Sequence, residues 1–165
     1  MMFETILVAN RGEIACRVIR TCRRLGIRSV AVYSEADATA QHVRQADLAY
    51  PIGGPAPADS YLRGDAIIEV ARKSGAQAIH PGYGFLSENA EFAEKVEAAG
   101  ILFIGPKPSS MRAMGSKSGA KALMIAHGVP VIPGYSGDNQ DPLHLAIEAD
   151  AVGYPLMIKA AFGGG

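Results

Sequence analysis

Surplus charge is the first thing this 165-residue sequence lacks: Lys plus Arg and Asp plus Glu number 16 each. With no net field, nothing draws the whole molecule to nucleic acid or to an anionic membrane, and any anion site has to be local. Long apolar runs are missing too. The longest, at 101–104 and 156–158, fall far short of the roughly 20 residues needed to cross a bilayer. The amino terminus sets Glu4 ahead of a short apolar run at 6–9. This is neither a basic segment with a long apolar stretch nor a transit peptide, so a cytoplasmic protein is expected. Cysteine is scarce. Cys16 and Cys22 point about 240° apart on one helix, which forbids a bridge and leaves two small packing residues in a reducing compartment. Internal repeats and low-complexity tracts are absent. A chain 48% hydrophobic and 19% charged argues against disorder and for one compact domain with the start of a second.

What is present is alternation. Short apolar runs rich in β-branched residues are predicted as strands at 5–9, 29–33, 76–80 and 101–104, with a weak one at 48–51. Helical patterns separate them at 13–25, 63–74 and 89–99. The first helix shows a stripe of Ile14, Val18, Ile19, Cys22 and Leu25, and the second one of Ala66, Ile67, Val70 and Ala71. Gly26, Gly75 and Gly100 stand where left-handed helix stops are needed. Such βαβ units imply an α/β fold with a mostly parallel, Rossmann-like sheet and flanking helices. Gly105-Pro106-Lys107-Pro108 breaks the chain, and a domain boundary is expected near Gly115. Beyond it, helices are predicted at 118–127, where Ser118 is a candidate cap, and at 143–152; a strand is predicted at 155–159 before Gly163-Gly164-Gly165.

Four segments have the residue types for chemistry. Lys159 with Gly163–Gly165 suits a phosphate, because glycines let backbone N–H groups converge beside an amine; a flexible linker reads equally well. Lys117 and Lys121 lie four apart at a helix start, as a ligand site or a solvated face, and the order of glycine and lysine is not that of a P-loop. The segment from His80 to Asn89 follows a strand at the edge where open α/β sheets put their ligands; its Tyr83 between Gly82 and Gly84 makes an exposed ring on a contorted loop, or else only a turn. The turn Asn10-Arg11-Gly12 has one glycine where a dinucleotide fold wants three, and suits a tight structural turn or polar contacts to a neighbouring domain.

Taken in order and spacing, residues 9–15, 80–89, 103–106 and 114–117, with 153–159 and its glycines, resemble the biotin carboxylase family along the whole chain. The resemblance implies a preATP-grasp α/β domain over residues 1–115, followed over 116–165 by a linker helix and the truncated start of an ATP-grasp domain. It implies ATP-dependent carboxylation of biotin by bicarbonate through carboxyphosphate, with ATP, magnesium and biotin on a carrier domain as cofactors. Lys117, Lys159, Gly163, Gly164 and Gly165 match ATP-binding positions, Tyr83 and Gly84 the biotin loop, and Arg20 a dimer-interface position. Partners implied are a second copy of the protein, the biotinyl carrier domain and a carboxyltransferase subunit, with neither nucleic acid nor membrane. Phe162 replaces a usually small residue, and Arg24 stands where family dimers can carry an acid.

No catalytic residue and no metal ligand is assigned here; by the resemblance the magnesium carboxylates, the bicarbonate arginine and the general base lie beyond residue 165, so the chain alone is expected to be inactive. The loop at 134–141 looks most like the methylcrotonoyl-CoA carboxylase α-subunit branch. Two other readings stand beside this one: a non-catalytic assembly module dimerising through the first helix, and a Rossmann-type oxidoreductase.

Overall fold

The computed structural model describes residues 3–159, with the backbone alone at Lys117. The chain divides into two compact units, 1–108 and 109–165.

Five parallel strands form the heart of the first unit: β1 (Thr5–Val8), β2 (Arg28–Ser34), β3 (Leu48–Gly53), β4 (Ala78–His80) and β5 (Leu102–Phe103), in the order β3-β2-β1-β4-β5. This is the α/β architecture that the alternation implied. β1 is buried at every residue because it is central and covered on both faces, which is why it reads as an unbroken apolar run. Its side chains alternate. Ile6 packs with Cys22, Ile27 and Ala78, and Val8 with Ala15 and Ile19, so one face of β1 rests on helix α1 (Gly12–Arg24).

The inward face of α1 is not quite the predicted stripe. Ala15, Cys16, Ile19 and Cys22 are buried, whereas Leu25 is 53% exposed. The buried face thus combines Ile19 with small side chains, and Leu25, at the helix end, lies outside it. Helix α3 (Gly64–Ser74) buries Ile67, Ile68, Val70 and Ala71 and closes at left-handed Gly75. Helix α4 (Ala90–Ala98) starts on Asn89, whose side chain accepts from the Phe92 amide at 2.8 Å, and Phe92 meets Phe103 of β5 edge to face with centroids 6.1 Å apart.

Three short pieces have no counterpart among the predicted elements: 3₁₀ turns at Glu35–Asp37 and Pro57–Asp59, and helix α2 (Gln41–Gln45). Elements of three to five residues are too short to display a period. Helix α5 (Pro108–Met114) begins directly at the proline expected only to break the chain, since proline is at home in a helix's first turn.

In the second unit, α6 (Lys117–Ala126) is capped by Ser116, not Ser118: the Ser116 hydroxyl accepts from the Gly119 amide at 3.0 Å. Helix α7 (Pro142–Val152) is capped by Asp141, which accepts from the Leu143 and His144 amides. The strand expected at 155–159 is absent. That segment is irregular, and Ile158 is 92% exposed. A strand exists only through lateral hydrogen bonds, and among the described residues of this unit no strand lies alongside it.

Candidate functional site at the carboxyl edge of the sheet

From β1 the chain moves outward to β2 and β3, then returns through α3 to β4 on the opposite side of β1. The strand order therefore reverses between β1 and β4, and ligands of open α/β sheets bind in the crevice beyond the carboxyl ends of strands at such a point. Val8 and His80 end the two strands in register, and the Ala9 amide donates to the His80 carbonyl at 2.9 Å. The turn after β1 and the loop after β4 are thus neighbours.

Asn10 joins them. It is only 3% exposed, and its Nδ2 donates to the carbonyls of Pro81 at 2.8 Å and Tyr83 at 2.9 Å, while Oδ1 accepts from the Arg11 amide. Between those carbonyls sits Gly82, with φ of 68°, where an added Cβ would stand 2.6 Å from Asn10 Nδ2. The Gly82 amide donates to His80 Nδ1 at 3.0 Å, and burial pushes the His80 pKa down, so the ring is a neutral acceptor. Gly84 and Phe85 also have positive φ, 69° and 42°. The loop so shaped leaves the Tyr83 ring 63% exposed. A groove of about 410 Å³ runs beside it, walled by Ile14, Arg17, Val18 and Thr21 of α1 and by His80 and Tyr83.

Arg11 turns the other way. Its guanidinium donates to both carboxylate oxygens of Asp37, at 2.6 and 2.7 Å, and lies 5.9 Å from the centre of the Tyr61 ring. The Tyr61 hydroxyl donates to Asp37 at 2.7 Å and accepts from the Ser34 amide, and the Tyr61 ring stacks on Phe85 at 5.1 Å. The Arg11 hydrogen bonds, helped by those from Tyr61 and Ser34 against the opposing cost of burial, hold the Asp37 pKa down at about 2. Burial raises the Tyr61 pKa, and the Asp37 bond raises that of Arg11. Asp37 and Tyr61 went unnoticed in the sequence, where a lone acid in a polar stretch and a tyrosine after a glycine-proline loop give no periodic or motif signal.

Residues 2–111 match the family described as "Biotin carboxylase, N-terminal domain". The chain belongs to that family. Residues 116–165 match "Carbamoyl-phosphate synthase L chain, ATP binding domain". Among curated relatives, the α chain of the mitochondrial methylcrotonoyl-CoA carboxylase of Dictyostelium discoideum is 59% identical over 97% of this chain and 23% of its own length. The biotin carboxylase of Halalkalibacterium halodurans is 54% identical over 99% of this chain and 36% of its own. The biotin carboxylase domain of Hydrogenobacter thermophilus 2-oxoglutarate carboxylase, solved as a dimer with MgADP, ADP and bicarbonate, superposes with a TM-score of 0.92 at 50% identity, covering 100% of this chain and 36% of that one. The chain thus spans about a fifth to a third of the length of these relatives.

Tyr83 and Gly84 lie together on the loop at the switch point, and Arg20 is exposed on α1. Lys117 is the first residue of α6, and Lys159 is exposed on the irregular segment after α7. Gly163, Gly164 and Gly165 lie outside the described residues. Lys121 lies four residues after Lys117 on α6, as expected, and donates to the Gly134 carbonyl at 2.9 Å. Cys16 and Cys22 are both buried and unbridged. No helix among the described residues is long and apolar enough to cross a membrane. Among the described residues, no group of three or more His, Cys, Asp or Glu stands together as a metal-binding cluster.

Proposed function

We propose that this chain supplies the amino-terminal wall of a biotin carboxylase that carboxylates carrier-bound biotin with bicarbonate and ATP. The observation that carries it is the loop after β4: an exposed Tyr83 ring held at the switch point of the sheet, in a chain of this family. Tyr83 offers a flat apolar face for stacking against a bicyclic ligand, and Gly84, with open space where a Cβ would stand, leaves its backbone free for close approach.

ATP contacts are assigned to Lys117, Lys159 and the 163–165 glycines. Support comes from the ATP-binding family match over residues 116–165 and from the relative solved with MgADP. ATP supplies the phosphoryl group that activates bicarbonate; magnesium belongs, in this reading, to carboxylates elsewhere in the longer protein. Other partners are the biotinyl carrier, a carboxyltransferase subunit, and a second copy meeting α1 at Arg20, the last supported by the dimeric relative. Of the acyl-CoA branches we favour methylcrotonoyl-CoA, on residues 134–141 and several relatives of that name. A cytoplasmic location is part of this reading, supported by two buried, unbridged cysteines.

The test is biotin- and bicarbonate-dependent ADP release by the full-length protein containing this chain. Tyr83→Ala is expected to raise KM for free biotin about tenfold, near the upper end of an aromatic contact, with KM for ATP unchanged. Equal ADP release with and without biotin in the wild type would defeat the proposal.

A further inference from the structure

The loop at 81–87 does not hold its own shape. Gly82, Gly84 and Phe85 all lie at positive φ, a region that is strained for a phenylalanine. A conformation of this kind persists only where surrounding groups over-determine it, and two adjacent residues of the β1–α1 turn do so from opposite sides.

Asn10 grips the near end. A primary amide carries two coplanar N–H groups, and here both are spent on the carbonyls flanking Gly82, which converge on one nitrogen. Aspartate has the same shape but no donor, serine has a single donor, and glutamine is longer than the space that already brings Asn10 within 2.6 Å of a Gly82 Cβ. Arg11 supports the far end through Asp37, Tyr61 and the Tyr61–Phe85 stack. Neither residue faces the exposed Tyr83 ring. Each fixes the backbone from which that ring projects.

We propose that Asn10 is a positioning residue that sets the Tyr83–Gly84 backbone for biotin, with the Arg11–Asp37–Tyr61–Phe85 chain as its second support; this rests on the biotin-binding reading of the loop. Pre-organisation of this sort lowers the ordering cost of binding, so its loss falls on the affinity for the ligand that uses the loop and not on ATP.

The full-length protein is compared with its Asn10→Asp, Asn10→Ser and Tyr61→Phe variants by hydrogen exchange over 81–88 and by steady-state kinetics. The expected result for Asn10→Asp is faster exchange at the Gly82 and Ser87 amides, confined to the loop, with KM for free biotin raised about tenfold and KM for ATP within about twofold of wild type. Asn10→Ser and Tyr61→Phe give smaller changes of the same kind, and they keep the comparison sound if Asn10→Asp fails to fold. Unchanged exchange in the variants overturns the clamp. Faster exchange with an unchanged biotin KM overturns the positioning role, as does a loss shared equally by kcat and both KM values. A wild type that never uses biotin defeats the proposed function and this inference with it, while the exchange data still decide whether Asn10 holds the loop.

Discussion

Asp37 shows how one side chain can organise a turn that has no regular structure. Four donors from Arg11, Tyr61 and Ser34 converge on it, in surroundings that leave it 8% exposed. Its folded pKa, lowered from 3.8 to about 2, means the unfolded chain binds the proton more readily. The resulting stability is complete above about pH 4 and is lost as pH falls through 2. Because the Arg11 side chain is 50% exposed, water screens part of it, leaving on the order of 1–2 kcal/mol. Asp37→Asn should therefore destabilise by about that amount at pH 7 in urea unfolding and should flatten the acid limb of the stability curve. His42 is the opposite kind of group. It is fully buried, its Nε2 lies 3.3 Å from the Val32 carbonyl, and its Nδ1 has no hydrogen-bond partner. Burial lowers its pKa from 6.5, as it does that of His80. In both cases the unfolded chain takes up the proton first, so stability is full above pH 6.5 and declines below it. Unfolding measured from pH 7.5 to 5 should show that slope, with His42→Gln removing part of it and leaving the share owed to His80.

At the scale of elements, the loop between β4 and α4 separates two meanings of a left-handed glycine. Gly82 and Gly84 have nearly equal φ, 68° and 69°, but an added Cβ at Gly82 meets Asn10 at 2.6 Å and one at Gly84 meets nothing within 4 Å. Gly84→Ala should cost about 1 kcal/mol of backbone strain alone. Gly82→Ala should cost more, about 2–4 kcal/mol, because it also displaces the buried amide. Chemical denaturation of the two variants side by side checks the difference, and equal losses would mean Asn10 yields freely. Much of the element structure was legible beforehand. Helix stops at Gly75 and Gly100 follow from the residue itself, and helix α1 from its composition. The inward face of α1 was legible only in part: Ile19 and Cys22 were in the predicted stripe, while buried Ala15 and Cys16 were not and Leu25 is exposed.

For the whole molecule, the reversal of strand order between β1 and β4 decides where a ligand can sit, and family membership says which ligand to test. Lys117 and Lys159 carry the proposed ATP contacts. In the full-length protein, Lys159→Ala should raise KM for ATP about tenfold or more, as loss of a charged hydrogen bond of about 1.5–3 kcal/mol requires, with KM for biotin unaffected. An ATP KM equal to wild type removes Lys159 from the site.

Composition, the alternation of apolar runs and the glycine stops were enough to establish a parallel α/β fold, because burial on both faces and left-handed turns leave direct marks on the residues concerned. The blocks around His80–Asn89 and Met114–Lys117 carried the family as well. Only the tertiary structure decided that Asn10, Asp37, Tyr61 and Phe85 act on one loop. These residues are up to 75 positions apart in the chain, each is ordinary where it stands, and their partnership arises from strands β1 and β4 ending side by side.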